Sequence, residues 1–209
     1  QPEEACFPES NYHFVGPAVD DRAEEPFSFE KSGNPLVYIS FGTLMHADKR
    51  FWKKLIAAFA GKRVEVVCSV GSEKLVRALG DLPSNVRVFA KVPQLTLLCR
   101  AALFVTHGGM NSVNEALYYG VPMIVFPFGL DQPLVGRELQ RRKLGRVIAP
   151  RELTAARLWR TAKELLRDPE ARKARLAMKR KARASGGNRE VTRRILEDLA
   201  AREARGAAE

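Results

Sequence analysis

The stretch Phe104-Val105-Thr106-His107-Gly108-Gly109-Met110-Asn111-Ser112-Val113-Asn114-Glu115 decides the fold. It opens on LFVTH (103–107), a short apolar run with a β-branched residue, which predicts a buried strand. Two glycines follow, and NSVNEALYYG (111–120) then has the spacing of a helix closed by glycine. VPMIVFP (121–127) returns to a strand pattern. A strand, a helix and a second strand on short connections make a parallel pair with a right-handed crossover.

The same alternation extends in both directions. Upstream, PLVYISF (35–41) reads as a strand, and DKRFWKKLIAAFAG (48–61) sets Phe51, Trp52, Leu55, Ile56 and Phe59 at helical spacing. VEVVCSV (64–70) and VRVFA (86–90) read as strands, SEKLVRALG (72–80) and QLTLLCRA (94–101) as short helices. Downstream, QPLVGRELQRRKLG (132–145) reads as helix, GRVIA (145–149) as a last short strand, and two or three helices follow, broken at Gly186-Gly187-Asn188. The expected class is α/β: a doubly wound, Rossmann-like parallel sheet with helices on both faces, then C-terminal helices. No repeat of fixed period is present. Residues 1–34, broken by Pro2, Pro8, Pro17, Pro26 and Gly33, read as an interdomain linker; 35–185 as the α/β domain; 186–209 as a C-terminal helix.

Composition narrows the function classes. A length of 209 residues suits one α/β domain. No run approaches the roughly 20 apolar residues that would span a bilayer, and Gln1–Ser10 lacks the pattern of a signal peptide. The start, without methionine and rich in Pro and Glu, reads as a cut inside a longer protein. Cys6, Cys68 and Cys99 form no metal-like spacing, and the last two sit in apolar surroundings that suggest small buried hydrophobes in a reduced, cytoplasmic protein. Arg137–Glu209 holds 22 Lys/Arg against 10 Asp/Glu, so the net charge of +11 lies in this region. Its basic residues alternate with Glu and Ala at helical spacing and have little aromatic interleaving, the pattern of solvated helix faces rather than a nucleic-acid surface.

In a doubly wound sheet the ligand lies outside the carboxyl ends of the strands. His107–Ser112 occupies such an end. Glycines let the main chain approach an anion, and the N–H groups and dipole at a helix start favour a phosphate there. His107 can donate to the same phosphate. Ser112-x-x-Glu115 is equally the spacing of a capping box, which closes a helix start without any ligand. Local spacing fits both readings.

A wider pattern adds to this. Val92-Pro93-Gln94, FVTHGGMNSVNEAL (104–117) and YYGVPMIVFPFGLDQP (118–133) resemble the donor-binding signature of the nucleotide-diphosphate-sugar glycosyltransferases, which include bacterial macrolide glycosyltransferase-like enzymes and plant and animal UDP-glycosyltransferases. Gly108 and Met110 stand where plant enzymes have Cys and Trp, which points to the bacterial branch. Phe14-Val15-Gly16-Pro17 and Tyr38-Ile39-Ser40-Phe41-Gly42-Thr43 look like that branch too. The resemblance covers residues 12 to about 150 well and the terminal helices loosely.

It implies the C-terminal, donor-binding domain of a GT-B enzyme that transfers a hexose from UDP-sugar, glucose by expectation, to a small-molecule acceptor with inversion. It also implies roles. His107 and the main chain around Gly109, Asn111 and Ser112 would hold the diphosphate, with Thr43 completing the cradle. Glu115 would accept from both ribose hydroxyls, since a carboxylate suits a vicinal diol. The Val92 main chain and Gln94 would face base and ribose, and Asp131 and Gln132 would grip the transferred sugar. Asp131 also stands where it could cap the helix that begins near Pro133. Lys91 departs from the pattern: many members carry a base-stacking aromatic there, so the base is expected to stack on the lysine stem, or a neighbouring side chain such as Phe89 substitutes, or base recognition is relaxed.

The family's base, a histidine oriented by an acidic partner, belongs to an N-terminal acceptor domain absent from this sequence, so this piece alone is expected to bind donor and turn over little. No metal or other cofactor is expected, because neither an Asp-x-Asp pair nor a Cys/His cluster is present. Two other classes stay open: a stand-alone donor-binding subunit of a split glycosyltransferase, and a nucleotide-sugar epimerase or hydrolase on the same scaffold.

Overall fold

The computed structural model of the chain describes residues 13–19, 27, 33–42 and 48–206. The strands are β1 (Leu36–Ser40), β2 (Glu65–Ser69), β3 (Val86–Phe89), β4 (Ala101–Thr106), β5 (Met123–Val125) and β6 (Gly145–Val147). Between and after them lie α1 (Lys49–Phe59), α2 (Glu73–Leu79), α3 (Gln94–Leu98), α4 (Met110–Tyr119), α5 (Gln132–Arg141), α6 (Ala155–Arg167), α7 (Pro169–Ala184) and α8 (Gly187–Gly206). All six strands are parallel, in the order β3-β2-β1-β4-β5-β6.

Strand alternation splits the apolar residues between two faces. Val37, Ile39, Val66, Cys68, Leu103, Val105 and Ile124 join the α1 and α6 side, with Trp52, Leu55, Phe59, Leu158 and Leu165. Tyr38, Val67, Phe104, Met123 and Val125 join the other, with Leu97, Leu98, Val113, Ala116 and Leu139. Residues covered on both faces must be apolar throughout, which is why these strands read as continuous apolar runs.

Two expectations need correction. QLTLLCRA was read as helix to Ala101, but α3 ends at Leu98 and Ala101 already opens β4, paired with Leu36. Cys99 was read as buried; it is exposed at the C-cap of α3, its Sγ donating to Thr96 O (3.1 Å), because the helical turn that buries Leu97 and Leu98 against the sheet carries the next residue out to solvent. Cys68 is buried, and burial pushes its thiol well above the ordinary range. Cys6 lies outside the described residues.

Asn85 ties the α1–β2 connection to β3. Its Nδ2 donates to Phe59 O (2.9 Å), Lys62 O (3.3 Å) and Val64 O (3.0 Å), and its Oδ1 accepts from Gly61 N (3.2 Å). Asn85→Ala leaves these groups unpaired and is expected to cost about 2 kcal/mol in a urea-unfolding titration.

Helix starts differ in how they are capped. Asp48, Ser72, Thr154 and Asp168 cap α1, α2, α6 and α7 through their side chains. The starts of α3, α4 and α5 have no such bond. These three follow the carboxyl ends of β3, β4 and β5.

Candidate donor-binding site

The chain runs from β1 outward to β3, then returns to place β4 beside β1, so the switch point lies between the ends of those two strands. Gly42 follows β1 and His107 follows β4, and the two meet there: a Cβ on Gly42 would stand 3.0 Å from His107 Cε1. A Cβ on Gly109 would stand 2.4 Å from His107 Nε2. The imidazole therefore occupies the room left by two glycines, with Nε2 over the start of α4. Gly108 has φ +89 and would place a Cβ 2.7 Å from Val125 Cγ1, so it needs glycine for both conformation and space.

Thr106 Oγ1, fully buried, accepts a long bond from Gly108 N (3.4 Å) and lies 3.4 Å from His107 Nδ1. With the hydroxyl donating to Nδ1, the ring hydrogen falls on Nε2, the edge above the helix; with the opposite tautomer Nδ1 donates to Oγ1 instead. Burial lowers the His107 pKa from its ordinary value, while the charge of Asp131 pulls it upward.

The start of α4 is open. Its N-cap is Gly109, whose carbonyl accepts from Val113 N (3.0 Å). Ser112 is thus inside the first turn and no capping box forms. The glutamate does not fold back onto its own helix either. Gln94, the first residue of α3, donates from Nε2 to Ser112 Oγ (3.2 Å) and to Glu115 Oε2 (2.5 Å). Burial raises the Glu115 pKa, and the Gln94 bond opposes that.

Asp131 occupies the N-cap position of α5 without a side-chain cap bond, and it is exposed. Gln132 is 4% exposed, and its Oε1 accepts from Phe128 N (2.8 Å) and Gly129 N (3.3 Å), fixing the loop after β5. Only its Nε2 remains for a ligand. Leu130, in that loop, holds a left-handed φ of 57.

The structure therefore brings His107, Gly109, Asn111, Ser112, Glu115 and Gln94 to one strand-to-helix junction, with Asp131 near enough to act on the His107 charge. The Val92 side chain is buried. Thr43 lies outside the described residues. Of the two candidates for stacking on a base, Phe89 is engaged edge-to-face with Phe27 (5.3 Å), and Lys91 is exposed. Sequence reasoning assigned no role to Tyr38 or Gly42, although both stood in the quoted motif. The i, i+2 alternation of Tyr38 and Ser40 on β1 was the available signal. Among the described residues no three His, Cys, Asp or Glu side chains converge as metal ligands would, and no helix is long and apolar enough to cross a membrane.

A parallel sheet in this order, opening at its switch point onto an uncapped helix, is the Rossmann-like α/β unit of the GT-B glycosyltransferases. The chain belongs to the erythromycin biosynthesis protein CIII-like, C-terminal domain family, which it matches over residues 53–199. It is similar to an uncharacterised UDP-glucosyltransferase, YojK, of Bacillus subtilis, with 35% identity over 188 residues, 89% of this chain and 46% of that protein. Among solved structures it resembles the glycotransferase of kitacinnamycin (TM-score 0.82, 32% identity, 90% of this chain and 49% of that one). It also resembles the glycosyltransferase VinC in complex with dTDP (TM-score 0.67, 27% identity, 89% of this chain and 46% of that one). The chain thus spans about half the length of the relatives it matches.

Proposed function

We propose that this chain binds the nucleotide-sugar donor, UDP-glucose in the first instance, of an inverting glycosyltransferase acting on a small-molecule acceptor. The carrying observation is the open start of α4, with His107 Nε2 above it and the Glu115 carboxylate held out beside it by Gln94. Main-chain donors and a ring N–H meet a diphosphate, and a two-oxygen acceptor meets a vicinal diol. In transfer the same donors stabilise charge as the diphosphate leaves. In this reading the exposed Asp131 carboxylate and the Gln132 amide nitrogen hold hydroxyls of the sugar. Acceptor and catalytic base fall, in this reading, to the half of the relatives that this chain does not match, and donor binding needs no metal. A solved relative holds dTDP, so a thymidine donor is the competing identity of the base.

Calorimetric titration with UDP-glucose tests the reading. Its diphosphate is a diester with no proton to gain near neutrality, so any pH dependence belongs to the protein. His107 has a folded pKa below the free value of about 6.5 and is neutral at pH 7. An adjacent diphosphate raises that pKa, so the complex takes up a proton. Affinity should rise as pH falls through the window between the two values, and His107→Ala should flatten the slope. The same depression gives the ligand-free domain stability that is present above about pH 6.5 and is lost as pH falls through the lowered folded pKa. EDTA should change nothing, and a phenolic acceptor added to the mixture should yield no glycoside. Absence of binding at millimolar donor, or efficient transfer by this chain alone, would overturn the proposal.

A further inference from the structure

Beneath the Gln94–Glu115 contact lies a side chain with no assigned role. Tyr38, on β1, is 1% exposed, and its ring stacks on Phe104 with centroids 5.0 Å apart and planes 6° from parallel. Its hydroxyl donates to Gln94 Oε1 (3.1 Å). A continuous chain of hydrogen bonds therefore runs from the sheet core, through the first residue of α3, to two residues of α4.

The direction of this chain is fixed. A side-chain amide has an oxygen face and a nitrogen face, and Gln94 must choose which meets the carboxylate. Turning it over would set Oε1 against Glu115 Oε2 at the present 2.5 Å, two acceptors with no proton between them. The phenol keeps its proton, because burial raises the Tyr38 pKa far above the ordinary range, and so has one to give to Oε1. With Oε1 anchored by Tyr38, both Nε2 hydrogens are directed at Ser112 and Glu115. Without the anchor, the amide keeps its nitrogen toward the carboxylate but is held from one side only, and its restraint on the Glu115 torsions weakens.

We infer that Tyr38 is a positioning residue for donor recognition: its buried hydroxyl sets the Gln94 amide, which holds the Glu115 carboxylate ready for a ribose diol. Discrimination between ribo- and 2′-deoxyribonucleotides then originates in part in the core, one residue removed from any ligand contact. This rests on Glu115 being the ribose acceptor, as proposed above.

The test uses UDP and 2′-deoxy-UDP, which differ only in the hydroxyl at issue, titrated against the chain and against Tyr38→Phe, Gln94→Ala and Glu115→Ala. Phenylalanine keeps the ring and its stack on Phe104. The ratio of the two affinities should fall about 3- to 10-fold in Tyr38→Phe, the worth of one neutral hydrogen bond. Because both ligands occupy the same site, a general loosening of the fold weakens both and leaves the ratio unmoved. In the Gln94→Ala background, Tyr38→Phe should add nothing to the ratio. A wild-type ratio in Tyr38→Phe, with a collapsed ratio in Glu115→Ala, overturns the inference and leaves the donor reading intact. A ratio unmoved by Glu115→Ala overturns both.

Discussion

Gly109→Ala is expected to abolish most of the affinity for diphosphate while leaving the fold in place. Gly109 has φ −64 and ψ 138, ordinary extended values that alanine adopts freely, so the backbone is not strained. The added methyl would stand 2.4 Å from His107 Nε2 and 3.0 Å from Cε1, well inside van der Waals contact. An approach of 2.4 Å is too close to absorb in place, so the ring has to move off the start of α4. That removes the side-chain donor above α4 and crowds the main-chain N–H groups. Losing a hydrogen bond to a charged partner corresponds to about 1.5–3 kcal/mol, or roughly 10- to 150-fold in the dissociation constant for UDP-glucose. Thermal unfolding should move little. His107→Ala combined with Gly109→Ala should bind no worse than His107→Ala alone if displacement of the ring is the cause. Unaltered UDP-glucose affinity in Gly109→Ala would show that His107 does not touch the diphosphate. Gly108→Ala is the contrasting variant. There φ is +89 and Val125 Cγ1 stands at 2.7 Å, so stability itself should fall.

The sheet was legible because its strands are covered on both faces. PLVYISF and LFVTH have to be apolar throughout, and a run of that kind between glycine-rich turns has few other readings. Boundaries were less legible where one element runs into the next: the helical spacing of QLTLLCRA continues into Ala101, and only pairing with Leu36 shows that the strand has begun. At the site, local spacing left two readings open. Ser112 and Glu115 have the separation of a capping box, yet the helix begins before them, and both side chains turn to Gln94, 18 and 21 residues away. Asp131 stands at an N-cap position and caps nothing. Contacts between α3 and α4, or between β1 and α3, depend on how parallel strands set their following helices side by side. No window of sequence contains that. The resemblance to a known signature located the residues of the junction, but it could not show that Gln94 serves Glu115, or that Tyr38 serves Gln94.

Glu115→Ala should erase the preference for a ribonucleotide and should not weaken the fold. Burial raises the Glu115 pKa, so ionisation is penalised in the folded state relative to the unfolded chain. The sign follows from linkage: with the folded value raised, stability is lost as pH rises through that value, and at pH 7 the charged group is a net burden on the fold. Removing it is therefore expected to leave the melting temperature at pH 7 unchanged or higher. A purely structural carboxylate, such as the helix-capping Asp168, would behave in the opposite way. Binding should move the other way from stability. Two hydrogen bonds from ribose hydroxyls to a carboxylate are lost, about 2–3 kcal/mol in all, or roughly 30- to 150-fold for UDP. The 2′-deoxy ligand keeps only the 3′ hydroxyl bond and loses less. Acid should imitate the mutation in the intact chain. As pH falls toward the raised Glu115 value, protonation removes one acceptor, and the ratio of UDP to 2′-deoxy-UDP affinity declines. Over the same range a protonated His107 strengthens the hold on the diphosphate of both ligands, so single affinities mix two opposing trends that the ratio separates. A preference for UDP that survives both Glu115→Ala and mild acid would place the ribose elsewhere and detach this carboxylate from donor recognition.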